Sequence, residues 1–289
     1  MLNMKIRSRF ARSITAAALT VVVAVTGLGG ASQAQAASNA VPSYEVKFLL
    51  DAEKVLTSNQ SLQPELRSEF SVTEEPTYRL VEYFDTDSQE LGQEGWNVRF
   101  RKKADKTDYE LTYKKRFPIE NGNIEAALDA ANAAGFSSDD DNYEAEVDWG
   151  YSKQTLSFSN TKKESAPIGL VLPSEQKALD MLLDRIPGKM NKTLYRGWGE
   201  DMLSQSRARG PVSVTKYKGE FEGLEVDIEV WMVQNEAGTG EEPIIEISFK
   251  TDEYTDAAIK RSLLADLLDA KGWLIHADSF KTNMVLDRY

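Results

Sequence analysis

The chain has no cysteine and only one histidine in 289 residues. Disulfides, thiolate or multi-histidine metal sites and cysteine nucleophiles are therefore excluded. Any metal must be held by oxygen, which favours magnesium, manganese or calcium. Basic residues are also scarce: 34 Lys and Arg stand against 46 Asp and Glu, a formal charge of −12. Nucleic acid and anionic lipid are poor general partners for such a chain. No nucleophile-elbow pattern surrounds any serine. Asp139-Asp140-Asp141 lacks the glycine and distal glutamate of a calcium loop and reads as a solvated turn. His276, alone beside Trp273, reads as a surface or packing residue. Apolar runs long enough to span a bilayer are missing after the first thirty residues.

Those first residues carry Lys5, Arg7, Arg9 and Arg12 without an acid, then the apolar run from Ile14 to Leu28, then Ala34-Gln35-Ala36. A cationic start, a short greasy core and a small-x-small site read as a cleavable export signal, and an uncleaved membrane anchor is the rival reading that the run's modest length and the small-residue site disfavour. Residues 1–36 are the expected signal peptide, and 37–289 a single secreted or extracytoplasmic domain with no stable membrane span after processing. Without the four cations, 30 basic and 46 acidic side chains remain, a formal charge of −16.

Strict alternation of apolar and polar residues predicts strands at Tyr44 to Leu50, Trp96 to Lys102, Tyr109 to Arg116, Tyr143 to Trp149, Val212 to Lys218, Leu224 to Val233 and Ile244 to Lys250. Three amphipathic helices interrupt them. One is Ile124 to Ala134, stopped by Gly135, and one is capped by Ser174 with Leu179, Leu182, Leu183 and Ile186 on its apolar face. The third runs from Thr255, with Ile259, Leu263, Leu267 and Leu268 expected to face the core. Ser137 to Asn142, Ser159 to Pro167 and Gln234 to Pro243 are rich in turn formers and read as connections.

Residues two apart on a strand share a face. Ser43, Glu45 and Lys47 therefore point one way, as do Arg99 and Arg101, and Glu110, Thr112, Lys114 and Arg116. So do Glu144, Glu146 and Asp148; Lys216 and Lys218; Glu225, Asp227 and Glu229; and Glu246, Ser248 and Lys250. The opposite faces carry Tyr44, Val46, Phe48, Trp96, Val98, Phe100, Leu111, Tyr113, Val226 and Ile228. An open antiparallel sheet with one wet face accounts for this pattern, and so does a closed barrel with the ionic faces inside and helices outside. A barrel of about eight strands has room for one small ligand. Its mixture of cations and carboxylates suits a polyanion with a divalent cation, Arg and Lys gripping phosphate oxygens and carboxylates the metal.

At these residues the chain resembles the CYTH family, the triphosphate tunnel metalloenzymes that include thiamine triphosphatases, inorganic triphosphatases and class IV adenylate cyclases. Tyr44-Glu45-Val46-Lys47-Phe48 resembles the opening Glu-x-Glu-x-Lys signature. Tyr83-Phe84-Asp85-Thr86, Leu91, Gly95 and Arg99-Phe100-Arg101 resemble the second pattern, Leu111-Thr112-Tyr113-Lys114 the third, and Glu144-Ala145-Glu146 the central Glu-x-Glu. Lys216, Asp227 and Glu246 fall where the family has a basic residue, an Asp and a last Glu-x-Glu. The resemblance implies an α+β fold, an antiparallel eight-stranded tunnel with helices packed outside, and metal-dependent hydrolysis of a triphosphate or polyphosphate with Mg2+ or Mn2+. On that reading Glu45, Glu146 and Lys47 are catalytic, while Lys47, Arg99, Arg101, Lys114, Arg116 and Lys216 bind phosphate. Glu45, Glu144, Glu146, Asp227 and Glu246 are the metal candidates. Inorganic polyphosphate, tripolyphosphate or an organic triphosphate is the expected partner. Two positions depart from the family, Ser43 and Ser248, each where a carboxylate is expected. A non-catalytic polyphosphate binder of the same fold is the alternative, and an exported carbohydrate-binding β-domain using the Trp and Tyr residues is a third.

Overall fold

Alternating sequence dictates the sheet, and turn chemistry dictates where each strand stops. The computed structural model describes residues 37–278 and 281–289; the expected signal peptide, residues 1–36, lies outside them. The strands are β1 Ser43–Leu50, β2 Thr77–Asp85, β3 Trp96–Lys103, β4 Asp108–Pro118, β5 Glu144–Trp149, β6 Gln154–Ser165, β7 Arg207–Phe221, β8 Leu224–Gln234, β9 Glu241–Thr251 and β10 Leu274–Ile275. The helices are α1 Ala52–Val55, α2 Pro64–Glu69, α3 Glu90–Gln93, α4 Ile124–Ala133, α5 Glu175–Asp184, α6 Trp198–Ser204, α7 Tyr254–Ala270 and α8 Lys281–Arg288. Among these residues no helix is long and apolar enough to cross a membrane.

Nine strands close in the order β1-β5-β6-β4-β3-β2-β7-β8-β9, and β9 returns to pair with β1. The short β10 adds to β1 from outside the ring. An all-antiparallel ring needs an even number of strands, so a ring of nine must contain a parallel pair; here it is β1 with β5. This corrects the expected eight antiparallel strands to a closed mixed barrel of nine, with helices. Two ring strands were not among the seven expected from alternation: β2, and β6, which runs through the start of the segment read as a connection at Ser159 to Pro167. Ser157, Ser159 and Thr161 alternate with the buried Leu156, Phe158 and Asn160, so a polar inward face disguised β6 as a turn.

The outward faces are the core. Val46, Phe48, Val98, Phe100, Leu111, Tyr113, Leu156, Val226, Ile228 and Ile247 are almost fully buried beneath the helices and connections. Helix α4 starts at Asn123, whose side chain accepts from Ala126 N, and gives way at Gly135, which has φ +89°. Ser174 caps α5 through Lys177 N as expected. Helix α7 differs from expectation: it buries Ala257, Leu264 and Leu268, while Ile259 and Leu263 are exposed. Adjacent leucines at 263–264 and 267–268 offer two stripes, and packing on β1 and β9 takes the one through Leu264 and Leu268.

Asp85 shows what the aromatic-Asp-Thr segment does locally. Its carboxylate accepts from the backbone N–H groups of Thr86 (2.8 Å), Leu91 (3.0 Å) and Gly92 (3.0 Å), fixing the turn into α3. Gly95 then adopts φ +70°, and a Cβ there would lie 2.8 Å from the carbonyl oxygen of Arg116. Only glycine lets β3 start this close to β4.

A second apolar cluster lies inside the ring. Val81, Tyr83, Val212, Val214, Trp231 and Val233 share strand phase with inward ionic residues, and the C-terminal helix α8 seats Val285 and Leu286 against them. The sequence reading had no element there. Leu286→Ala is expected to cost about 2–5 kcal/mol, lowering the melting temperature by about 5–15 °C. An unchanged thermal melt would contradict the seating of α8.

Candidate functional site: an ionic tunnel

The inward faces enclose a cavity of about 1110 Å³. All of the residues expected from the sequence line it: Glu45, Lys47, Arg99, Arg101, Lys114, Arg116, Glu144, Glu146, Lys216, Asp227 and Glu246. The two departures, Ser43 and Ser248, line it as well. The open-sheet alternative is thereby set aside. The expected carboxylates, however, divide between two walls, with Glu144 exposed at the start of β5.

On the first wall, the parallel register sets Glu45 beside Asp148 and Ser43 beside Glu146. Oxygens of Glu45, Glu146 and Asp148 lie within 4.8 Å of one another. Asp148 is an addition to the expected set; it shares the Glu144–Glu146 face, which was the signal for it. Lys47 Nζ is 2.5 Å from Asp148 and 3.2 Å from Glu45. Lys114 is 3.6 Å from Glu146 and 3.5 Å from Asp148, and Lys250 pairs with Glu146. Burial alone would raise the Glu45 carboxyl, but Lys47 and Lys250 outweigh it and hold it below its ordinary value. Likewise, burial is overcome at Asp148 by Lys114, Lys47 and Arg116, which hold it well below the usual range. Burial opposes the charge on Lys47, yet Asp148 and Glu45 push its pKa well above normal.

On the second wall, Lys216 pairs with Asp227 across β7 and β8. Arg79 is 3.1 Å from Glu229, and Lys281 of α8 is 2.7 Å from Glu246 and 3.4 Å from Glu229. Arg79, Glu229 and Lys281 were not among the expected site residues. Glu229 had a signal in its strand phase, whereas Lys281 comes from a helix outside the strand pattern.

Between the walls run β3, β4 and β6. Arg101 Nε is 2.6 Å from Glu110. Burial would raise Glu110, but Arg101 and Lys103 bring its pKa down to about 2. Arg99 contacts only the hydroxyl of Thr112, at 3.4 Å, and its buried Nε has no partner. Among the described residues neither Arg99 nor Arg116 forms an ion pair, although each faces the cavity. Arg99, with no ion-pair partner and beside the linked hydroxyls of Thr112 and Thr161, is set up to receive an anion, while Arg116 faces the cavity and acts on Asp148 from beyond ion-pair distance.

Three converging carboxylates are an all-oxygen donor set that suits Mg2+ or Mn2+. Asp227 Oδ1 and Glu246 Oε2 on the other wall are buried without hydrogen-bond partners. The first-wall carboxylates therefore fit a hard divalent ion.

The motif order resembles that of the triphosphate tunnel proteins, and in this chain the motif residues face the cavity. No protein-family model matches the sequence, and no curated protein matches it. Solved structures with similarity include a Hippeastrum adenylyl cyclase described as having a dominant triphosphatase activity. It is 15% identical over 84% of this chain and 94% of the other, with a TM-score of 0.45. A Bacillus halodurans structure described as an adenylate cyclase is 14% identical, with the same coverages and a TM-score of 0.46. A Pyrococcus horikoshii protein is 15% identical over 85% of this chain and all of the other, with a TM-score of 0.41. Likeness at this level transfers no chemistry.

The buried pairs imply a definite acid response. Glu110 has a folded pKa of about 2 against 4.5 for the free group, so its contribution is complete above about 4.5 and lost as pH falls through about 2. Denaturant unfolding from pH 7 to 2 should show that loss, and Arg101→Met should shrink it. Identical pH profiles for both proteins would contradict the pairing.

Proposed function

We propose that the tunnel binds the phosphate groups of tripolyphosphate, inorganic polyphosphate or an organic triphosphate, and that with a divalent metal it hydrolyses a phosphoanhydride bond. The observation that carries this reading is the inward guanidinium of Arg99, which forms no ion pair and whose buried Nε has no partner, on a face that also carries Arg101, Lys114 and, beyond Lys114, Arg116. Each Arg–phosphate contact is a charge-assisted hydrogen bond, and the planar fork matches phosphate oxygens two at a time. Lys47, protonated at neutral pH because of its two carboxylate neighbours, would donate to a phosphate oxygen and stabilise negative charge; it is not poised to accept a proton. Glu45, Glu146 and Asp148 would hold Mg2+ or Mn2+. That ion, when bound, would neutralise phosphate oxygens and orient a water.

A non-catalytic binder of the same fold is supported by Ser43 and Ser248, two inward positions where a hydroxyl replaces the expected carboxylate. The carbohydrate reading is weakened on the outer surface, where Trp96, Trp198 and Trp273 are buried and Trp149 is stacked on Tyr254. We also propose export, supported by the charged start, apolar core and Ala34-Gln35-Ala36 site; nucleoside triphosphates are scarce outside the membrane, which favours inorganic polyphosphates.

Calorimetric titration with tripolyphosphate should give 1:1 binding, strengthened by Mg2+. Arg99→Ala should weaken it by about 1.5–3 kcal/mol, a loss of roughly 10- to 150-fold, without unfolding the protein. Unchanged affinity would overturn the phosphate grip, whereas binding with no phosphate release at saturating Mg2+ or Mn2+ would leave the non-catalytic binder.

A further inference from the structure

Glu229 and Glu246 stand directly opposite each other on β8 and β9, both facing the cavity. Like charges in that register repel, and both side chains are largely shut off from water. The barrel gives a direct partner to only one of them, and Lys47 acts on Glu246 from beyond ion-pair distance. Arg79 reaches Glu229, and Trp231 Nε1 donates to Glu229 at 2.9 Å.

The cation that meets Glu246 is Lys281, in the first turn of α8. Its Nζ lies between the two carboxylates and 4.4 Å from the centroid of the Trp231 ring. Burial disfavours the ammonium, yet Glu246 and Glu229 prevail and raise its pKa. The helix that carries it is fixed at its far end. Val285 and Leu286 are buried in the inner apolar cluster, Arg288 is 2.6 Å from Glu242, and the hydroxyl of Tyr289 accepts from Gln234 N at 2.8 Å. Lys281 meets Oε1 of Glu246, and Oε2 remains buried without a partner. It belongs to a side chain with 7% of its surface exposed.

We propose that Lys281 is a tethered counter-cation, occupying between Glu229 and Glu246 the place that a divalent ion would otherwise take. The tunnel then accepts a divalent ion at Glu45, Glu146 and Asp148 and none at the Glu229–Glu246 pair. Helix α8 thereby contributes to the metal capacity of the site as well as to its core. Only the count at the first wall rests on the function proposed above; the role of Lys281 rests on the second wall alone.

The test is Mn2+ binding to the full folded protein without any polyphosphate, followed by calorimetry and by the loss of the free-ion paramagnetic resonance signal. The wild-type chain should bind one ion. Lys281→Met should bind two, Lys281→Arg one, and Lys281→Met with Glu246→Gln one again. Should Lys281→Met melt too low to titrate, Lys281→Gln serves with the same expected count. A wild-type chain that already binds two ions, or a neutral variant with the wild-type count, overturns the proposal. If the wild type binds none and the neutral variant binds one, the role of Lys281 stands and the metal assignment at the first wall fails.

Discussion

Neutralisation of buried charge is the constraint on which this structure depends. Closing a sheet turns one face of every strand inward, and here that face is ionic. Carboxylates 4.8 Å apart repel by about 3.5 kcal/mol per pair at an effective dielectric of 20. The chain answers with lysines placed by register: Lys250 pairs across β9 with Glu45, Lys47 lies one inward position along β1, and Lys281 arrives on α8. Removing one member of such a pair strands the other, which is far more harmful than the pair itself is helpful. Arg99 and Arg116 face the cavity without forming an ion pair among the described residues, and on the proposed reading they are where the tunnel of a strongly acidic protein receives its anion.

Stability comes from the other side of the same strands. The apolar outward faces pack beneath helices, and among the described residues the large apolar patch inside the ring is the one that α8 covers. The division of labour explains why ionic residues in the tunnel can be changed without dismantling the core, so long as their partners are not stranded. It also explains why the C-terminal helix matters to both halves, since it carries Leu286 for packing and Lys281 for charge.

Much of the site was legible because period two is a strong signal. Which residues from Glu45 to Glu246 face inward followed from counting by twos, the resemblance to the tunnel family then picked the site candidates among them, and the barrel honours that phase. Other features were hidden for physical reasons. Strand β6 carries serines and threonines inward, so its composition imitates a loop. Asp148 was on a recognised face but stood one step beyond the Glu-x-Glu pair. Arg79 lies on β2, whose inward face changes from Arg79 to Val81 and Tyr83 and so shows no uniform alternation. Lys281 is fixed by a tertiary docking that no local period encodes. The parallel pairing of β1 with β5 is likewise a matter of ring closure, which single-strand patterns do not carry.

The most direct measurement is a crystal structure of the protein with tripolyphosphate. The phosphates should lie inside the barrel, with oxygens about 3 Å from the guanidinium nitrogens of Arg99 and Arg116. Tripolyphosphate bound only on the outer surface, with those two arginines untouched, would contradict the account.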